Sequence, residues 1–399
     1  MKNIVILLID ALRCKNTSLF GYNKETDKNL KDIAKDSILF KQHFSVSNAT
    51  APAFTSILTA LYPNKHGIIH QIPYTKQEEK EKVEKINFWL PSYLKTKGYE
   101  TICIDWVGFW MKKDFDFYGE CDEDVPLENT DSPFISAKKT IDLAISRISK
   151  TTKPFFLLTH FWDTHFPFSN TPYTPLGNET QMNRTLANIK NEKEKEYLSK
   201  RMKESKLFSF QDMTNKYDKA IEGIDFQIGR LYTFLKEQNL LKDTIFIVLG
   251  DHGDSLTEHD IYFNHSGLYD VSIHVPMLMH IPGIAKKEIN EFSQHIDIIP
   301  TIMDILNFKS EENFDGKSLM PLIKSNIPVR DKIFAFDGLC NDISAVRTKN
   351  KKLIIAKDSF CNLCKGKHHQ PIEEYDLKED KEETKNIYSG NSELKKLLE

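Results

Sequence analysis

Two apolar segments of this 399-residue chain end abruptly in acidic or imidazole side chains, and this pattern constrains the fold more than any other. Residues 4–9 (IVILLI) run directly into Asp10, and residues 244–249 (TIFIVL) are followed, after one glycine, by Asp251 and His252. Continuous apolar runs of this length predict strands buried on both faces, as in parallel sheets. Open parallel sheets place their sites at the carboxyl ends of the strands. We therefore predict that Asp10, Asp251 and His252 meet at one sheet edge.

These three side chains would form a ligand set for a divalent metal ion. Two carboxylates and an imidazole are ligand types that such ions use in proteins. Each residue also has a structural alternative, because a strand-end aspartate often caps the next helix and a single histidine is often only hydrogen-bonded. The compact run Asp251-His252-Gly-Asp254 favours the metal, because no turn requires three polar groups there.

Strand and helix signals alternate along most of the chain. Further strands are predicted over 101–104 and 155–159, and the clearest helix over 217–235, where apolar residues repeat every three or four positions. This alternation predicts an α/β fold with a mostly parallel sheet and helices on both of its faces. The polar segment 169–212 is interpreted as an insertion that covers one side of the site.

The sequence changes character near residue 325, where we place a domain boundary. Residues 1–325 would form the α/β domain and residues 326–399 a small C-terminal α+β subdomain. Short strand signals with turns between them and no helical crossover predict antiparallel pairing in that subdomain. Its charged tail, from residue 373 onward, is expected to end in a helix.

The composition limits which classes of binding partner are expected. With 54 basic and 57 acidic residues the net charge is −3, which gives no reason to expect nucleic acid. No apolar run has the length of a membrane span. The N-terminal apolar run is short and is followed by no small-residue cleavage site, so a cytoplasmic location is expected. The oligomeric state is not indicated.

The cysteines are expected to be free thiols rather than a disulfide framework, as is usual in a cytosolic protein of this size. They are Cys14, Cys103, Cys121, Cys340, Cys361 and Cys364. The run Cys361-Asn-Leu-Cys364 with His368 and His369 is similar to a zinc knuckle, but its spacing is tighter than usual. A turn between two strands is the favoured interpretation, and zinc binding stays open.

Seven short motifs, in the correct order and spread nearly end to end, resemble those of the sulfatase family within the alkaline phosphatase superfamily. They are Asp10-Ala-Leu-Arg13, Leu61-Tyr-Pro-Asn-Lys-His-Gly67, Trp162-Asp-Thr-His-Phe-Pro167, the 217–229 helix, Asp251-His-Gly-Asp254 with Glu258-His259 and Val275-Pro276, His295-Ile-Asp-Ile-Ile-Pro-Thr301, and Glu374-Tyr-Asp-Leu-Lys-Glu-Asp380. The resemblance implies an alkaline-phosphatase-like fold, with residues 1–325 as the catalytic domain, and a metal-dependent ester hydrolase or transferase.

The same resemblance implies that Thr50 is the nucleophile. Sulfatases have Cys/Ser-x-Pro-x-Arg here and oxidise the first residue to formylglycine, whereas this chain reads Thr50-Ala-Pro52-Ala-Phe54. Threonine cannot yield that aldehyde, so Thr50 would coordinate the metal and attack as an alkoxide, aided by the helix N-terminus behind it. This chemistry resembles the phosphatase, phosphodiesterase and phosphoethanolamine- or phosphoglycerol-transferase branches. The alternative for Thr50 is an ordinary helix N-cap.

Three further residues complete the implied site. His165 and His265 match family positions that face the leaving group, as hydrogen-bond donors, as general acid, or with Asp163 as ligands of a second metal. Each histidine also has a structural alternative as a satisfied core residue. His252 stands where sulfatases usually have asparagine, which favours zinc or manganese and leaves calcium or magnesium as alternatives.

The sequence therefore predicts a sulfatase-like, metal-dependent enzyme that cleaves or transfers a phosphate ester through Thr50. One alternative is a sulfatase acting on a sulfate ester of a small molecule or glycan. The other is a catalytically silent binding module, which the loss of the family's "GKWHLG" element after residue 101 would favour. A small-molecule or glycan ester is the expected substrate, and a bilayer is not an expected partner.

Overall fold

The computed structural model describes residues 1–105, 109–119 and 135–398. Its strands are β1 (Asn3–Ile9), β2 (Ile38–Phe40), β3 (His43–Phe44), β4 (Glu100–Ile104), β5 (Phe117–Gly119), β6 (Phe155–Phe161), β7 (Thr244–Gly250), β8 (Met277–His280), β9 (Lys287–Ile289), β10 (Ser293–Gln294), β11 (Lys332–Phe336), β12 (Cys340–Thr348), β13 (Lys351–Cys361) and β14 (Ile372–Asp376).

The helices of the described residues lie mainly between these strands in the chain. They are α1 (Lys28–Ala34), α2 (Thr50–Thr59), α3 (Pro63–His66), α4 (Gln77–Glu84), α5 (Leu90–Thr96), α6 (Ala137–Ile148), α7 (Glu179–Ala187), α8 (Glu192–Ser205), α9 (Phe210–Glu237), α10 (Asp270–Ile273), α11 (Ile298–Leu306) and α12 (Met320–Ser325).

A central sheet with strand order β5-β4-β6-β1-β7-β8-β2-β9 forms the middle layer of the described chain. Its pairs are parallel except those that β8 makes with β7 and β2. The predicted α/β class with a mostly parallel sheet is therefore confirmed. A separate antiparallel sheet, β11-β12-β13-β14, follows near the C-terminus, as expected.

Alternate side chains of β1 belong to two cores, one on each face of the sheet. Ile4, Ile6 and Leu8 pack with residues of α2, α5 and α11, whereas Val5, Leu7 and Ile9 pack with residues of α1, α6 and α9. A strand that is covered on both faces buries the side chains of both, which explains the uninterrupted apolar run from Ile4 to Ile9. The apolar stripe of α9 is buried against the second core, as its spacing predicts.

One of the finer sequence predictions is wrong. The C-terminal tail does not end in an α-helix: it contains β14 and then a short 3₁₀ turn over Lys395–Leu397. Its charged residues carry no apolar stripe that a helix could bury. Of the six cysteines, Cys121 lies outside the described residues, and the other five are free thiols. The boundary at residue 325 stays a prediction.

Hydrogen bonding continues one residue beyond the end of β1. The Asp10 amide donates to the Phe161 carbonyl (3.0 Å), and the Asp251 amide donates to the Ile9 carbonyl (3.2 Å). The ends of β6, β1 and β7 are thereby held in register, and the residues that follow β1 and β7 are side by side. Among the described helices, none has the length and apolar character needed to cross a membrane.

Gly250 supports this junction, because an added Cβ would lie 2.7 Å from the Leu12 carbonyl oxygen. We expect Gly250→Ala to lower the free energy of unfolding by about 1–3 kcal/mol, since neither backbone can move away cheaply. Gly223→Ala, on an exposed position of α9 with open space around it, should instead be neutral or stabilising by about 0.5–1 kcal/mol. Urea unfolding of both variants checks this. Equal stability of the two would contradict it.

Candidate active site

The structure brings the three strand-end residues Asp10, Asp251 and His252 together. Their candidate ligand atoms lie within 4.8 Å of one another. The His252 Nε2 is 3.7 Å from Asp10 Oδ1 and 3.7 Å from Asp251 Oδ2, and all three side chains are buried. The prediction that these side chains meet at one sheet edge is therefore confirmed.

The two carboxylates carry charge that the described residues do not balance. Both oxygens of Asp10 and Oδ2 of Asp251 are buried without a hydrogen-bond partner. Burial, followed by the neighbouring charge of Asp251, raises the pKa of Asp10 well above its ordinary value. An unpaired buried carboxylate costs several kcal/mol, roughly, unless a cation or donor faces it. A divalent cation among these oxygens meets that requirement, so the residues fit such an ion.

Backbone contacts aim the ligand atoms. The His252 Nδ1 donates to the Gly253 carbonyl (2.9 Å), which leaves Nε2 as the acceptor that faces the carboxylates. Asp251 Oδ1 accepts from the amides of Ala11 (3.1 Å) and His252 (2.6 Å), so Oδ2 points inward. Burial acts to raise the pKa of Asp251, but the His252 and His160 imidazoles outweigh it and hold that pKa well below its usual range.

Thr50 is the first residue of α2, and its Oγ1 lies 3.4 Å from His252 Nε2. The N-cap of this helix is Ala49, so the alternative of Thr50 as N-cap is not what the structure has. The helix N-terminus offers fewer donors than expected: the Ala51 amide donates to Gln71 Oε1 (2.8 Å), and Pro52 has no N–H. Gln71 itself lines the cleft beside Asp10.

His165 and His265 both line that cleft. Each donates Nδ1–H to a backbone carbonyl, His165 to Phe166 (2.7 Å) and His265 to Asn48 (2.6 Å), so in each neutral ring Nε2 is the acceptor. The His265 ring stacks on His252 at 4.5 Å. Burial lowers the pKa of both histidines to about 3. They are therefore bases or acceptors at neutral pH until an anion raises their pKa.

The second metal site has no support in the described residues. Asp163, His165 and His265 do not form a group with ligand atoms within 4.8 Å. Asp163 Oδ2 instead accepts the Ala137 amide (2.9 Å) at the N-terminus of α6. Burial raises the pKa of Asp163 to about 7. It therefore holds the first turn of α6, whose N-cap is Ser136, and is not a partner of the two histidines.

Asp105, which the sequence analysis did not assign, anchors the opposite side of Asp251. Its Oδ1 accepts from His160 Nδ1 (3.1 Å) and from Trp162 Nε1 (3.0 Å). The His160 Nε2 then lies 3.5 Å from Asp251 Oδ2. Burial acts to lower the pKa of His160, but the carboxylates of Asp105 and Asp251 outweigh it and raise that pKa to about 10. Asp105 directly follows β4, so the strand-end rule could have found it.

The turn that carries Thr50 is held by the C-terminal part of the chain. Asn48 Nδ2 donates to Asp337 Oδ2 (2.9 Å), and the Gly338 amide donates to Asn48 Oδ1 (2.8 Å). Asn48 therefore fixes both the start of α2 and, through its carbonyl, the ring of His265. No local pattern in the sequence marks Asn48 or Asp337, because the two are 289 residues apart.

Other motif residues support the site from outside. Arg13 forms an ion pair with Glu258 and donates to the Asp254 carbonyl (2.8 Å). The Tyr217 hydroxyl donates to the Ala11 carbonyl (2.7 Å). His66 contacts Ser56 Oγ (2.9 Å) away from the cleft. Arg13 and Tyr217 therefore hold the backbone near Asp254 and Ala11, whereas His66 supports α2.

The site opens into a cleft of about 390 Å³. Asp10, His252, His165 and His265 form its floor, and Tyr197, Lys200, Arg201 and Glu204 of α8 form one wall. These four wall residues come from the 169–212 segment, which the sequence analysis expected at one side of the site. A larger cavity of about 860 Å³ lies elsewhere and contains none of the strand-end ligands.

The fold and the strand-end cluster define an α/β protein with a candidate metal site at the carboxyl edge of its central sheet. The family model described as Sulfatase matches residues 2–308, and the model described as N-sulphoglucosamine sulphohydrolase, C-terminal, matches residues 257–399. Since the first match covers more than half of the chain, this chain belongs to the sulfatase family.

Curated relatives agree with this family. An ulvan-active sulfatase of Formosa agariphila is 25% identical in an alignment of 376 residues, which covers 84% of this chain and 57% of that protein. The arylsulfatase K of Homo sapiens is 34% identical over 110 residues, 27% of this chain and 20% of that protein. The chain spans less than two thirds of the length of the ulvan-active sulfatases that it matches.

Solved structures share the fold. The phosphonate monoester hydrolase of Agrobacterium radiobacter has a TM-score of 0.70 at 17% identity and covers 100% of this chain and 93% of its own. A 2-O GAG sulfatase has a TM-score of 0.72 at 16% identity, with 100% and 89% covered. Because both identities are low, these likenesses concern the fold alone.

The hydrogen bond between Asp105 and His160 should affect the affinity of the candidate site for a divalent metal ion. We expect Asp105→Asn to weaken divalent-metal binding by about 10- to 100-fold, because it removes the charge that orients the imidazole beside Asp251. Asp142→Asn makes the same chemical change at a half-exposed position on α6 and should not alter it. Competition with a chromophoric chelator gives both affinities. Equal affinities in the two variants would contradict the role of Asp105.

Proposed function

We propose that this chain is a divalent-metal-dependent ester hydrolase with Thr50 as its nucleophile. The observation that carries the proposal is the position of the Thr50 hydroxyl, 3.4 Å from His252 Nε2 and beside a cluster in which both oxygens of Asp10 and Oδ2 of Asp251 are buried without a hydrogen-bond partner. A hydroxyl at the start of a helix, next to an unbalanced anionic cluster, is the arrangement that a metal-assisted nucleophile requires.

Asp10, Asp251 and His252 would hold the ion, with the Thr50 hydroxyl facing it. The ion, when bound, lowers the pKa of a hydroxyl and stabilises negative charge on the transferred group. The carboxylate and imidazole donor set favours zinc or manganese over calcium or magnesium. The other steps of the reaction fall to side chains of the protein.

In the first step, Thr50 Oγ1 forms a bond to the phosphorus or sulfur of the ester, and the bond from that atom to the leaving oxygen breaks. An imidazole of the His165 and His265 pair, protonated once the anionic substrate has raised its pKa, gives its proton to the departing alcohol. The other imidazole of the pair accepts the proton of the Thr50 hydroxyl in that step. In the second step, water attacks the phosphorus or sulfur, the bond from that atom to Thr50 Oγ1 breaks, and this second imidazole returns its proton to Oγ1. The first imidazole accepts the proton of the attacking water, so both imidazoles and the hydroxyl end as they began.

The charged ester oxygens would be met by side chains rather than by the helix N-terminus. The Ala51 amide is taken by Gln71, and Pro52 offers no donor. Lys200 and Arg201, on the α8 wall of the cleft, supply positive charge instead. An anionic ester therefore suits the cleft better than a neutral one.

Thr50 favours a phosphate ester, because a threonine cannot become formylglycine and Phe54 stands in place of the motif arginine. The similar fold of a phosphonate monoester hydrolase is compatible with this class. The second candidate is a sulfate ester of a small molecule or glycan. The comparisons favour this second candidate, since the named curated relatives are sulfatases.

Thr50 variants test the nucleophile. We expect Thr50→Val, which keeps the shape of the side chain but lacks the hydroxyl, to lower kcat by about 10³-fold or more. Thr50→Ser keeps the hydroxyl and should remain active. Acid quenching of the wild-type reaction, followed by peptide mass analysis, should find an ester on the peptide that contains Thr50. Undiminished turnover by Thr50→Val would exclude this nucleophile, and a wild-type protein without turnover would favour a binding module.

Substrate panels test the ester class. Aryl phosphate, bis-aryl phosphate and aryl sulfate should be compared as substrates of the wild-type chain after loading with Mn²⁺ or Zn²⁺. We expect the largest kcat/KM for a phosphate ester, because a hydroxyl nucleophile replaces formylglycine. Asp251→Asn serves as the control for contaminating hydrolases and should lose all three activities together. A largest kcat/KM for aryl sulfate would replace the phosphate assignment with the sulfate one.

A further inference from the structure

A second cluster of metal-binding side chains lies outside the candidate active site, at the end of β13. Ligand atoms of Cys361, Cys364 and His368 lie within 4.8 Å of one another. The Cys364 Sγ is 2.9 Å from His368 Nε2. Cys361 and Cys364 are buried, and so is the His368 side chain. The segment is a turn, as expected from the sequence, but the turn also brings two thiols and an imidazole together.

Glu194 of α8 reaches this cluster from the 169–212 segment. Its Oε1 lies 3.2 Å from His368 Nε2, and its side chain is fully buried. Neither carboxylate oxygen of Glu194 has a hydrogen-bond partner. A buried carboxylate beside two thiols is strongly unfavourable unless a cation is shared among them. The burial of the Glu194 carboxylate is thus an observation independent of the cysteine spacing, and it also indicates a cation.

We propose that Cys361, Cys364, His368 and Glu194 form a structural zinc site. A tetrahedral zinc ion with bonds of about 2.0–2.3 Å keeps its ligand atoms about 3.3–3.8 Å apart. The distances at His368, 2.9 Å to sulfur and 3.2 Å to oxygen, need only small adjustments to reach that range. Two cysteines, one histidine and one carboxylate are ligand types that zinc accepts, and sulfur selects against calcium, magnesium and manganese.

The remaining nearby groups have other roles. His369 Nδ1 contacts Glu373 Oε2 (3.2 Å) and its ring stacks on Tyr269, so it is directed away from the cluster. Cys340 pairs with Cys361 across β12 and β13, and its thiol donates to the Ser359 carbonyl (3.9 Å). Cys340 is therefore a competitor of Glu194 for the fourth ligand position, because its thiol also contacts Cys361.

The site would join two parts of the chain that form the cleft. Glu194 lies on α8, which carries Lys200 and Arg201 of the cleft wall. Leu363, between the two cysteines, also lines the cleft. A zinc ion held from both sides would fix α8 against the C-terminal sheet and so keep the wall in place. This role does not depend on which ester the candidate active site cleaves.

Metal analysis of the full-length chain tests the proposal. After loading with zinc and removal of excess, we expect about two zinc ions per chain in the wild type. Cys364→Ser and Asp251→Asn should each retain one, and Cys14→Ser, the same change at a buried cysteine elsewhere, should retain both. Cobalt loading distinguishes the sites: thiolate-to-cobalt absorption should vanish in Cys364→Ser and persist in Asp251→Asn.

The wild type provides a test that does not depend on a variant folding. Titration of its thiols with a mercurial should release one zinc ion per chain to a metallochromic indicator. Failure to release zinc, or a disulfide between Cys361 and Cys364 in the purified protein, would overturn the proposal.

The fourth ligand has its own readout. Glu194→Gln should weaken zinc binding at this site by about tenfold or more and increase hydrogen exchange in α8, whereas Cys340→Ser should do neither. Weaker zinc binding in Cys340→Ser but not in Glu194→Gln would overturn the link to α8. Because these readouts are metal content and exchange, a failure of the proposed ester hydrolysis would leave them unchanged.

Discussion

Two carboxylates buried side by side, those of Asp10 and Asp251, are the constraint on which the rest of the site depends. The parallel pairing of β1 with β7 brings them together, and β6 on the other side of β1 adds His160. Two like charges without water repel each other and lose their hydration, so the arrangement is stable only with positive charge between or beside them. The imidazole of His160 supplies part of that charge, and the open oxygens of Asp10 define where a cation would supply the rest.

The positions of Asp10 and Asp251 could be predicted because a local rule governs them. A strand covered on both faces is apolar, so a polar residue at its end marks the sheet edge. The same rule applies to Asp105 after β4, but the sequence analysis considered that segment only for a missing family motif. Asn48 and Asp337 could not be found in this way, since their contact depends on how the C-terminal sheet docks on the start of α2.

The resemblance to a family predicted the position of Thr50 but not the hydrogen bonds that the groups around it make. A helix N-terminus is a general anion site only when its amides are available. Here Gln71 takes the Ala51 amide, and Pro52 removes another donor. Similarly, the motif indicated His165 and His265, whereas only coordinates reveal that both rings donate Nδ1–H to carbonyls. Hydrogen-bond partners of this kind depend on tertiary contacts, which the order of motifs does not specify.

The 169–212 segment illustrates why a polar insertion needs an anchor. The buried residues of α8 are Glu194, Leu198 and Met202, which are spaced by four and so form one stripe. A third apolar residue at position 194 would have been the simplest way to pack this helix. A buried carboxylate without hydrogen bonds at this position destabilises the folded chain. A cation bound by Glu194 together with Cys361, Cys364 and His368 would offset that destabilisation and would link α8 to the C-terminal sheet. Metal coordination, in addition to apolar packing, would then hold the α8 wall of the cleft in position.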